Sequence, residues 1–184
     1  MRSERGATPS SGPRRLAGAL AAAWLFAVPA HAGAQPVAEP DLKAAFIYNF
    51  TLFTEWPAEA GFEGGALNVC VNPASGLREP LQALTDKPVR GRRMAVRVLT
   101  AVDGLRGCDA LVLDDADRAR GGALIAAARA LPVLTIADGP EVAGSIIALA
   151  REGDRLVFDV DTAAARRSNL KLSSRLLRLA RTVR

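Results

Sequence analysis

Histidine is almost missing from this chain. The one copy, His31, lies in a segment that reads as an export leader. The remainder therefore has no imidazole for a Ser-His or Cys-His pair, or for a histidine-ligated metal. No Gly-x-Ser-x-Gly elbow, phosphate-binding loop or dinucleotide fingerprint occurs either. Cysteine is equally scarce, with Cys70 and Cys108 alone and no Cys-x-x-Cys spacing for redox catalysis. The apolar run from Leu16 to Val28 falls short of the roughly 20 residues that span a membrane. Internal repeats and low-complexity linkers are absent. These gaps point away from an enzyme and imply no catalytic residues, no cofactor and no metal.

What is present begins with the leader. Arg2, Arg5, Arg14 and Arg15 precede the apolar run, and Ala30-His-Ala32 closes it with a small-residue cleavage site. A basic stretch, an apolar stretch and an Ala-x-Ala site form a secretory signal peptide. Residues 1–34 are assigned to it, with cleavage after Ala32 or Ala34, leaving 35–184 as one exported, soluble α/β domain. The leader also distorts the charge. The chain has 24 basic and 19 acidic residues. Removing four arginines and Glu4 leaves 20 and 18, a net of +2. That balance gives no reason to expect nucleic acid as a partner.

In an oxidising compartment an isolated pair such as Cys70 and Cys108 reads as a disulfide, with two buried free thiols as the alternative. The aromatics are more telling. Beyond the leader they are Phe46, Tyr48, Phe50, Phe53, Trp56, Phe62 and Phe158, and the first five fall in eleven consecutive residues. Leu42, Phe46, Phe50 and Phe53 recur at helical spacing, so a helix is predicted from Asp41 to Trp56, stopped by Pro57. Either this is the best-buried helix, or part of it, around Trp56, meets another protein.

A glycine-rich connector follows at 58–65. Strands are predicted at Ala66–Val71, Gly91–Leu99, Asp109–Leu113 and Pro132–Ala137, with helices at Leu77–Leu84 and Ala116–Ala130. Ser145–Arg151 and Arg155–Val160 flank Glu152-Gly-Asp154, which is hairpin chemistry. Short helices between short apolar strands imply a mostly parallel central sheet with helices on both faces. The hairpin adds an antiparallel C-terminal edge. Two helices close the chain, Asp161–Arg167 and Leu172–Val183, the second with Leu172, Leu176, Leu179 and Val183 as its core stripe.

Asp114, Asp115 and Asp117 end an apolar strand, where a phosphoacceptor or a magnesium site could stand. The receiver pattern needs further acids and a late lysine that this chain lacks, so the trio reads as a helix cap. Arg175, Arg178 and Arg181, with Lys171 and Arg184, crowd the outer side of the last helix. They read as a solvated face, with docking to an acidic partner or to anionic lipid as the alternative.

The run Lys43–Pro57, KAAFIYNFTLFTEWP, closely resembles the opening helix of the YfiR-like family of periplasmic regulators. The hairpin Gly144–Asp161 and the closing stretch Thr162–Ala180 resemble that family's tail, and Cys70 and Cys108 fall where the family places a cysteine pair. Asp161 stands where the family usually has asparagine, and a second cysteine pair of some relatives is absent. The resemblance implies a repressor that binds the periplasmic region of an inner-membrane diguanylate cyclase. That would lower cyclic-di-GMP signalling and biofilm formation. It also implies an outer-membrane-associated lipoprotein that sequesters the repressor. Candidate contacts are Trp56, Phe62, Arg166, Arg175 and Arg178, and the sequence leaves a homodimer open. The competing reading is a small-molecule sensor with its pocket at the carboxyl ends of the strands.

Overall fold

Alternation along the strands decides the architecture. In the computed structural model, which describes residues 37–184 apart from 59, 61 and 140–142, Leu67, Val69 and Val71 of one strand face one core while Cys70 faces another. The leader, with His31 and both cleavage positions, lies outside the described residues. The strands are β1 Thr54–Glu55, β2 Ala66–Val71, β3 Pro88–Val89, β4 Arg92–Val98, β5 Ala110–Leu113, β6 Leu134–Asp138, β7 Ile147–Glu152, β8 Arg155–Val160, β9 Lys171–Leu172 and β10 Thr182–Val183. The helices are α1 Glu39–Leu52, α2 Arg78–Gln82, α3 Gly121–Ala128, α4 Thr162–Arg167 and α5 Ser174–Leu179. All belong to one compact unit, Pro36–Arg184.

Eight strands form the main sheet in the order β10-β8-β7-β6-β5-β2-β4-β3, and β1 pairs with β9 in a separate ribbon. The run β7-β6-β5-β2-β4 is parallel throughout. The β7–β8 hairpin is antiparallel across Gly153-Asp154, with Gly153 at φ 59° as such a two-residue turn requires. The predicted α/β fold with a mostly parallel sheet is therefore present. The hairpin is not the edge, however, because β10 adds outside β8, parallel to it.

Helices α1, α2, α4 and α5 contribute Ile47, Phe50, Leu81, Ala165 and Leu176 to the first core, over Leu67, Val69, Ala110, Val112, Leu134 and Ile136. On the other face Leu124, Ile125 and Ala128 of α3 cover Leu111, Leu113 and Ala137, and this core holds the Cys70–Cys108 disulfide. The bridge spans Cα atoms 5.7 Å apart and closes a separation of 38 residues.

Three helices differ from their sequence pattern. First, α1 stops at Leu52, because Thr54 and Glu55 leave to pair with Leu172 and Lys171. Thr51 and Thr54 also turn their hydroxyls onto the Tyr48 and Phe50 carbonyls at 2.7 and 2.8 Å. The buried face of α1 is Ala44, Ile47, Phe50 and Thr51, while Leu42 is exposed. Second, the predicted 116–130 helix divides. Asp114 and Asp117 form a capping box around a 3-10 turn at Asp115–Asp117, and α3 begins only at Gly121. Third, the predicted 172–183 helix is six residues long. Of its leucine stripe only Leu176 is buried, Leu179 and Val183 are exposed, and Thr182-Val183 form β10.

Candidate functional site

Two places in this fold gather functional groups, one at each end of the parallel strands. At the carboxyl end, β2 is flanked by β4 on one side and β5 on the other, which makes the topological switch point where doubly wound sheets hold ligands. A cavity of about 370 Å³ opens there, lined by Lys43, Leu77, Asp114, Asp115 and Asp138 among others. A neighbouring one of about 480 Å³ shares Lys43 and Asp138 and extends to Arg151, Asp159 and Arg181.

The polar groups beneath this crevice are occupied by one another. Asp117, 1% exposed, accepts from Asn72 Nδ2 at 2.9 Å and from Arg120 Nε at 2.8 Å. Arg120 also donates to the carbonyls of Leu99 and Thr100. Ser75 Oγ donates to Asp114 Oδ2 at 2.5 Å, and the Ala116 N–H donates to Asp114 Oδ1 at 3.0 Å. Among the described residues no buried side-chain nitrogen or oxygen lacks a partner. The aspartate trio thus caps and ties loops, and no group of three or more His, Cys, Asp or Glu among the described residues could hold a metal.

Above the network, Lys43 Nζ lies 2.8 Å from both Asp138 and Glu39, and Glu39 is also held by Arg151. Partial burial works against the Lys43 ammonium, but its hydrogen bonds to Asp138 and Glu39 outweigh that and raise its pKa. The Glu39 carboxyl is held below its usual range by its hydrogen bond to Lys43. These four residues link the start of α1 to β6 and β7. The sequence pattern of α1 gave Lys43 no role at the crevice, because Asp138 lies 95 residues away and Glu39 alone, one turn earlier, marks only a local helix pair.

The amino end is built differently. Trp56 Nε1 donates to the Asp109 carbonyl at 3.0 Å, which fixes the indole at the mouth of β5. The Phe62 ring meets it edge-on, with centroids 6.2 Å apart. The guanidinium of Arg92 lies over the other ring, 3.8 Å from the Phe62 centroid. A cation so placed is attracted to the electron-rich ring face. Trp56, Phe62, Arg90 and Arg92 line a cavity of about 190 Å³ with Leu67 and Val89 at its floor. Two of its residues have left-handed backbone, Phe62 at φ 33° and Arg90 at φ 49°. Each costs of order 1–3 kcal/mol in a non-glycine residue, and such strain clusters at functional positions. Beside the corner, burial raises the Asp109 pKa, opposed by the Asn68 N–H it accepts and by the charge of Arg92.

Of the five candidate contacts read from sequence, Trp56 and Phe62 come together at this corner. Arg166 on α4 and Arg175 and Arg178 on α5 are exposed. Arg166 lies 3.4 Å from Thr162 Oγ1, and Arg175 sits 6.0 Å from the Phe53 centroid. Arg90 and Arg92 were missed, since a Gly-Arg turn before a strand carries no mark of an aromatic partner 30 residues earlier.

The profile of the YfiR/HmsC-like family matches residues 40–181. The chain belongs to that family. The matched span runs from the first turn of α1 to Arg181 and takes in both ends of the sheet. Among solved structures, a conserved domain protein from Vibrio cholerae O1 biovar eltor has the same fold, with a TM-score of 0.52 and 9% identity. The match covers 80% of this YfiR/HmsC-like chain and 60% of that protein, and the likeness is one of fold alone. No curated protein matches the chain. No helix among the described residues is long and apolar enough to cross a membrane.

Proposed function

We propose that this protein is a periplasmic regulator that binds the periplasmic sensor region of an inner-membrane diguanylate cyclase and holds it inactive. Membership of the YfiR/HmsC-like family carries the reading and supports a regulatory, non-catalytic role. Repression follows if the protein binds the inactive cyclase conformation more tightly than the active one, since a ligand shifts an equilibrium only through differential affinity. An outer-membrane-associated lipoprotein that competes for the protein would release the cyclase. The aromatic-arginine corner supports Trp56 and Phe62 as contacts, because aromatic and arginine side chains anchor interfaces.

Deletion of the gene should raise cellular cyclic-di-GMP and biofilm mass. The protein should also retain a diguanylate cyclase, identified by mass spectrometry, from detergent-solubilised membranes. Unchanged cyclic-di-GMP together with no retained cyclase would sink the reading. The crevice at the switch point favours a second one, a small-molecule sensor. A ligand-dependent rise in melting temperature that Lys43→Met abolishes would support it.

A further inference from the structure

The C-terminal segment carries charge of one sign only. From Thr162 to Arg184 there are seven cations, Arg166, Arg167, Lys171, Arg175, Arg178, Arg181 and Arg184, and no acidic side chain. Arg181 is engaged by Asp159 at 2.6 Å, and Glu152 lies 3.9 Å away. Among the described residues, no ion pair holds Arg166, Arg167, Lys171, Arg175 or Arg178. Helix α5 arranges part of this set on one stripe. Leu176 points into the core at 2% exposure, while Arg175 and Arg178, spaced i and i+3, are exposed and Leu179 at i+4 emerges beside them. Leu179 stands there 66% exposed, the second most exposed large apolar side chain among the described residues after Val37 at 69%.

Cations alone would read as a solvated face. An exposed leucine beside two arginines held by no ion pair is the pattern of an interfacial helix, in which the apolar side chain enters the acyl boundary and long cationic side chains reach the headgroups. Neither Arg175, Arg178 nor Leu179 lines any of the cavities described above.

We infer that the outer face of α5, with Arg175, Arg178 and Leu179, docks the protein on an anionic phospholipid surface. This does not depend on which protein it regulates. Docking would confine the regulator to the membrane that carries its target and turn a three-dimensional search into a lateral one.

The test is co-sedimentation of the chain from Gln35 onward, which contains the whole compact unit, with phosphatidylcholine vesicles with and without phosphatidylglycerol. Binding should appear only with phosphatidylglycerol and fall as salt rises. Arg175→Glu with Arg178→Glu should weaken it by at least about tenfold, from the contribution of each cation near the surface. Leu179→Ser should weaken it less, with circular dichroism and melting unchanged in both. Arg93→Glu with Arg106→Glu, the same charge change elsewhere, should leave binding intact. Equal binding to neutral vesicles, no binding at all, or equal loss in that control would overturn the inference. So would capture by polyglutamate without capture by vesicles, which would assign the patch to an acidic protein.

Discussion

The two ends of the sheet use polar groups in opposite ways. At the carboxyl end Asn72, Ser75, Asp114, Asp117 and Arg120 satisfy one another, and the charged groups above them pair across the crevice. At the amino end Arg92 rests on an aromatic ring, Arg90 has only an exposed pair with Glu55 at 3.5 Å, and the backbone is held in left-handed conformations. A closed buried network favours stability and a single loop geometry. Cations over rings on a strained loop contribute little to stability and remain available for contact. The contrast fits the proposed reading, in which the carboxyl end holds the fold and the amino end meets the partner.

The comparison can be broken at either end, and the largest effect should come from the disulfide. It joins Cys70, next to last in β2, to the segment entering β5, and replacing Cys70 and Cys108 with alanine should cost up to about 4 kcal/mol by loop closure. Amide exchange should rise first around Trp56 and Arg106, at the amino end. An equal rise at Asn72 and Asp117 would show that the ends are not separate. Next is Asp117→Ala, which removes the carboxylate from Asn72 and Arg120 and leaves them their carbonyl partners; it should cost about 2 kcal/mol in denaturant unfolding while leaving partner binding unchanged.

Trp56→Ala should do the reverse. Its half-buried indole is worth about 2 kcal/mol of packing and hydrogen bonding, yet affinity for the cyclase region should drop by at least about 30-fold if it is a hot spot. Unchanged affinity by calorimetry would remove the corner from the interface. The smallest effect belongs to Arg181→Ala. Its hydrogen bond holds the Asp159 carboxyl below the usual range, so the pair's contribution is complete above the unfolded aspartate value of about 3.9. It disappears as pH falls through the lower folded value. Melting curves of wild type and variant should differ slightly at pH 7 and converge in strong acid.

Strands were far more legible in the sequence than helix ends or site geometry. Ala66–Val71 and Arg155–Val160 stand as read, because turn residues bracket each run and its alternation has no rival. Helix ends were lost to tertiary partners. Pro57 marks a true limit, but Thr54 and Glu55 turn extended earlier because Leu172 and Lys171 offer a ladder. Thr182 and Val183 continue a leucine spacing that looks helical, yet β8 leaves an open edge and two β-branched residues fill it. The site was legible in part. Clustered aromatics drew attention to Trp56, whereas the arginine over Phe62 and the Lys43–Asp138 pair depend on contacts between residues far apart in the chain.

The two-residue strands at the flanks of the main sheet have a consequence of their own. β3 opens with Pro88, which has no N–H to offer, and β10 presents only Thr182 and Val183. A long, flat border would invite neighbouring molecules to extend the sheet from one to the next. Each flanking strand itself offers an approaching strand at most two rungs, and it covers only Arg92 and Arg93 of β4 or Asp159 and Val160 of β8. The two-residue strands thereby shorten the border along which copies of the protein could pair when it is crowded.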